Sequence, residues 1–125
     1  MDTANRILRE RRKAIMENPS IYADEDRQTG GELLQGALAY VCSPGTLIWP
    51  WDISTFDPSN DPVVNIVKAG ALVAAEGDRL LRRRELGLPV VGGMIVLSMD
   101  AESILSDIEG MKKIAEEMKS LRTED

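Results

Sequence analysis

The chain has 125 residues, of which 43% are hydrophobic and 29% charged, and its net charge is −6. That length suits one domain, and that composition folds instead of staying disordered. The acidic balance excludes a general DNA- or RNA-binding protein, which would present a basic field, and aromatics at 4% leave the core to aliphatic and small residues.

Thr3 to Glu17 reads as a helix capped by Asp2 or Thr3, with Ile7, Leu8, Ile15 and Met16 as its apolar side. Arg6, Arg9, Arg11, Arg12 and Lys13 make it basic, and most of these charges are expected in solvent. Asn18-Pro19 stops it. Ser20 to Gly31 is polar and acidic. Asp24, Glu25 and Asp26 invite a metal reading, but the spacing does not fit a calcium loop, so an acidic loop without metal is expected.

Gly31 to Cys42 reads as a second helix that buries Leu33, Leu34, Ala37, Leu38 and Val41, and Ser43-Pro44-Gly45 ends it. Cys42 is the lone cysteine, which rules out an intrachain disulfide, and it is expected to be buried and inert. No histidine is present to activate it. Thr46 to Asn60 is a long non-helical connection holding Trp49, Trp51 and Phe56. It reads either as an aromatic lid over a small-residue core or as a stacking surface for a base or a partner side chain.

Asp61 to Leu86 is the longest helical run, with Asp61 as cap and Pro62 at the first position. Val63, Ile66, Val67, Gly70, Ala74, Gly77 and Leu81 recur at steps of three and four, so this face is expected inside. Gly70 and Gly77 predict close approach of a second backbone, with the helix Gly31–Cys42 and its Gly36, Ala37 and Ala39 as partner. The far end gathers Arg79, Arg82, Arg83 and Arg84, and Gly87 follows as a stop. Cations there stabilise the helix dipole; Arg79, Arg82 and Arg83 also share a face that an anion would fit.

Leu88 to Leu97 is apolar and split by Gly92-Gly93. It is either a short hairpin, Pro89–Val91 against Met94–Leu97, or a hinge docked on the core. Asp100 to Leu121 reads as an amphipathic helix whose stripe includes Ile104, Ile108, Met111 and Met118. That stripe packs either on its own chain or on another copy, which makes a homo-oligomer an expectation. The fold class predicted is mainly α: a small bundle of about four helices, a long aromatic loop and a short hairpin or hinge before the last helix. Residues 1–87 form the core domain and 88–125 a C-terminal extension. No segment approaches the roughly 20 apolar residues of a membrane span, and the chain opens on charged residues, so a soluble intracellular protein is expected.

Glu10-Arg11-Arg12 with the acidic stretch after it, Gly31-Glu32-Leu33 with the helix to Cys42, and Trp49-Pro50-Trp51-Asp52 followed by the run from Val67 to Leu80 form an ordered set. In that order they resemble a group of small, mostly uncharacterised proteins of tailed bacteriophages and prophages. The WPWD element and the KAGALVAAE…DRL helix carry the resemblance. That group usually has histidines in its acidic loop, which this chain lacks, and residues 88–125 fall outside the match. The resemblance implies a phage accessory protein of the bacterial cytoplasm and no particular reaction.

Three functions follow for weighing. The first is a non-enzymatic protein that binds and inhibits a host protein, of antiviral defence or of regulation, without a cofactor. The second is a sponge for a nucleotide, with Arg79, Arg82 and Arg83, joined by Arg6 and Arg9, on phosphates and Trp49 or Trp51 on a base. The third is a magnesium-dependent all-α nucleotide pyrophosphohydrolase using Glu32, Glu76 and Asp78, whose spacing lacks the paired carboxylates such a site needs.

Overall fold

A computed structural model describes residues 2–95, 109–110 and 112–119. The protein is mainly helical, and no strand occurs among the described residues. Four helices make the bundle: α1 (Thr3–Glu17), α2 (Ile21–Asp26), α3 (Glu32–Val41) and α4 (Pro62–Glu85). Residues 112–119 form a further helix, α5. Residues Ile104, Ile108 and Met111 of the expected oligomerising stripe lie outside the described residues, as do Val96 and Leu97 of the expected hairpin.

Local chemistry sets the helix limits. The Asp2 carboxylate accepts from the Asn5 N–H and caps α1, and Asn18 closes it. Asp61 accepts from the Val63 N–H, and Pro62 opens α4 where its missing donor costs nothing. Gly87, at φ +71°, turns the chain out of α4 as only glycine does cheaply. The stretch expected as an acidic loop contains α2 instead. The turn before it is fixed by the Asn18 side chain, which accepts from the Ser20 N–H.

α4 is the axis: α3 packs along it most extensively, then α1, then α2. The pairing of α3 with α4 is therefore as expected, and Val67 of the expected inner face is buried, but most of that face is not. α4 buries Val67, Ala69, Ala75, Glu76 and Arg79. At 3.6 residues per turn, Leu72, Glu76 and Arg79 point away from Gly70, Gly77 and Leu81. A methyl at Gly70 would come 2.4 Å from Cδ1 of Ile7, so this glycine makes room for an α1 side chain, not for the α3 backbone. A methyl at Gly77 would meet nothing within 4 Å. The close approach falls at Gly36 of α3, whose place for a methyl is filled by the Trp51 ring at 2.5 Å.

In α3, Leu33, Gly36, Ala37 and Ala39 are buried, Leu34 is half-buried, and Leu38 and Val41 are exposed. Cys42 is exposed, a correction to the buried thiol expected. α3 presents one side to α4, and in its last turn Ala39 faces inward while Val41 shares a shallow groove with Ile66 at the start of α4. Residues 88–95 form no hairpin. They lie as a strap across the end of the bundle, the docked alternative, held by Arg79 and Arg83 donating to the Val91 and Pro89 carbonyls and by Gly93 N–H donating to Glu76.

Candidate functional site

The centre of the bundle is ionic. Arg11 of α1 is buried and donates from two nitrogens to both oxygens of Glu25 in α2, the second contact at 2.8 Å. Its Nε donates to Asp78 of α4 at 3.0 Å. Burial alone would pull the Arg11 guanidinium down, but the hydrogen bonds and charges of Glu25 and Asp78 outweigh it and hold it above its ordinary range. Arg82 extends the network, 2.9 Å from Asp26 and 3.5 Å from Glu25, with its guanidinium 4.4 Å from the Tyr22 ring centre. One turn before it, Glu76 and Arg79 form a second pair with side chains 2% and 0% exposed.

These contacts place the residues expected to hold an anion. Arg79 is enclosed by Glu76 and the strap, Arg82 is held by Asp26 and Tyr22, and Arg83 is turned onto the Pro89 carbonyl. They do not converge on an open pocket. Glu32, Glu76 and Asp78 are likewise drawn apart, to the Gly30 N–H, to Arg79 and to Arg11. Among the described residues no group of three His, Cys, Asp or Glu could hold a metal ion.

The aromatic loop is ordered by its own bonds. Asp52 accepts from the Ser54 N–H and hydroxyl, which hold its carboxyl below the usual carboxylate range. Trp49 Nε1 donates to the Asp52 carbonyl, and Trp51 Nε1 donates to the Gln28 side chain at 3.0 Å. Trp49 meets Trp51, Phe56 and Tyr40 with ring centres 4.8–5.4 Å apart. Trp51 thus serves as the lid over Gly36, while Trp49 keeps one side toward a cleft.

That cleft, about 500 Å³, lies between α1 and α4. Tyr40 and Trp49 wall one side, Leu72 and Ala75 floor it, and Lys13 and Lys68 stand at its edge. On the other side of α4, Val63, Ile66, Val73 and Leu81 are 38–51% exposed, and Val41 of α3 shares a shallow groove with Ile66. In α5, Ile114 and Met118 are more than half exposed.

Sequence reasoning missed Arg11 and Glu25. A signal was present: Arg11 stands four residues after Ile7 and three before Ala14, on the apolar side of α1. No model of a protein family, no curated protein and no solved structure matches the chain.

Proposed function

We propose that this chain is a non-enzymatic phage accessory protein that binds and inhibits a host protein in the bacterial cytoplasm, a component of antiviral defence or of regulation. The observation that carries the reading is a row of half-exposed apolar side chains on α4, into which α1 reaches at Gly70 through Ile7. Val63, Ile66, Val73 and Leu81 lie in the open on a 24-residue helix whose opposite side is tightly packed. Exposed apolar side chains gathered on one side of a helix mark interaction sites. The partner that fits has apolar anchors and, facing a chain of net charge −6, a basic rim. The exposed Ile114 and Met118 support self-association through α5 as a second property.

The test is capture from bacterial lysate by the full chain, repeated with Val73→Glu and Leu81→Glu, followed by assay of the captured protein. A protein retained by wild type, lost by both variants and inhibited on binding supports the reading. Equal capture by all three chains sinks it. So does a wild-type solution mass of a dimer that falls to a monomer in Val73→Glu, because a second copy would then own the face.

A further inference from the structure

We propose that the cleft between α1 and α4 is a nucleotide site, taking the base at its aromatic end and the phosphates along α1. The volume, about 500 Å³, falls in the range of small-molecule sites. Its floor leaves room because Ala71 and Ala75 bring little bulk, and its wall is the edge-to-face pair Tyr40–Trp49, centres 5.4 Å apart at 81°. A flat heterocycle suits that wall, since every base has a π-face to offer an aromatic ring.

The phosphate end is set by charge. The cleft continues into a second groove of about 260 Å³ that shares Glu10 and Lys68 with it and is lined by Arg6 and Arg9. Arg6, Arg9 and Lys13 recur along α1 at steps of three and four, spanning about 10 Å at 1.5 Å per residue. None of the three forms an ion pair with a described residue, whereas Arg11, Arg79 and Arg82 are all committed. Lys68, at the junction, is paired with Asp57, donating to its carbonyl and to its carboxylate at 3.3 Å, and lies 5.6 Å from the Tyr40 ring centre. Across the two grooves Arg6, Arg9, Arg11, Lys13 and Lys68 face the carboxylates of Glu10, Glu25 and Asp57, an excess of two positive charges in an acidic protein, and the three cations without an ion pair lie together on α1. Such a field selects an anion with several charged oxygens. A flat ring at one end and phosphate oxygens at the other describe a nucleotide.

The proposal is independent of the docking face, which lies on the far side of α4, so the two readings fail separately. The full chain is titrated with AMP, ATP, cyclic AMP, cyclic di-AMP, adenosine and inorganic phosphate, read by calorimetry and tryptophan fluorescence. At least one nucleotide is expected to saturate and to shift the fluorescence. Adenosine and inorganic phosphate should each bind at least roughly tenfold more weakly, because each keeps only half of the contacts. Arg9→Glu and Lys13→Glu, both at exposed positions, should weaken the nucleotide by a similar factor with an unchanged circular dichroism spectrum. Val73→Glu should bind as wild type. No saturable heat from any nucleotide at millimolar concentration overturns the proposal. Wild-type affinity in both charge-reversal variants, or inorganic phosphate binding as tightly as the best nucleotide, overturns it equally.

Discussion

Arg11 grips both oxygens of the Glu25 carboxylate from a helix that precedes it by one turn of chain, and the pair is sealed from solvent. Two charges removed from water are tolerated only while each keeps its partner, and losing one of them costs more than losing both. Glu25→Ala leaves Arg11 with the half-exposed Asp78 alone and is expected to cost about 3–5 kcal/mol. Arg11→Lys should also destabilise, since a lysine cannot offer the same fork. The double variant Arg11→Met, Glu25→Leu should recover most of the loss. Urea midpoints at unchanged slope measure all three; a double variant no better than Glu25→Ala would refute the account.

Glu76 ties two things together, the Arg79 guanidinium and the Gly93 N–H of the strap. Glu76→Ala is expected to cost about 3–5 kcal/mol by stranding a buried cation, and to loosen the strap before the rest opens. Thermolysin cleavage within residues 88–95 should therefore speed up more than cleavage within α3. Equal acceleration of both would mean that the strap is not an independent latch.

Two glycines should respond with opposite sign. Gly77→Ala meets nothing within 4 Å and removes a helix-interior glycine, so it should stabilise by about 0.5–1 kcal/mol. Gly36→Ala drives a methyl into Trp51 and should destabilise by about 1–3 kcal/mol, with a shift in tryptophan emission. Thermal melts of the two variants decide it, and a stabilised Gly36→Ala would contradict the lid geometry.

Asp52 gives a pH dependence of known sign. Its carboxyl is held below its ordinary 3.8 first by the Ser54 N–H and then by the Ser54 hydroxyl. A depressed carboxyl contributes stability that is whole above the unfolded value and fades as pH falls through the folded one. The stability gap between wild type and Asp52→Ala should thus be constant from pH 7 to about pH 5 and should narrow below pH 3.8. A gap that widens on acidification would reverse the assignment.

Helix existence was legible because caps and punctuation are local. Asp2, Asp61 with Pro62, and Gly87 act on the residues beside them, and each does so in the fold. The inward face of α4 was not legible from apolar spacing, because the fold buries Glu76 and Arg79 there and leaves Val63, Ile66 and Leu81 in the open. A charged residue on the inner side reads as an error of period until its partner is known, and the partners of Arg11 stand 14 and 67 positions away. The same cause hid the fate of Arg79, Arg82 and Arg83: a basic cluster looks free in sequence and is spent on Glu76, Asp26 and Pro89 in space.

An interior built on salt pairs carries a calorimetric signature. Exposing apolar surface raises the heat capacity on unfolding and exposing polar surface lowers it. Among the described residues six apolar side chains are buried against four that are charged, Arg11, Glu25, Glu76 and Arg79. The increment per residue should fall below the usual ~12–15 cal/mol/K. Stability would then vary along a broad, shallow arc, declining gently toward cold as well as toward heat.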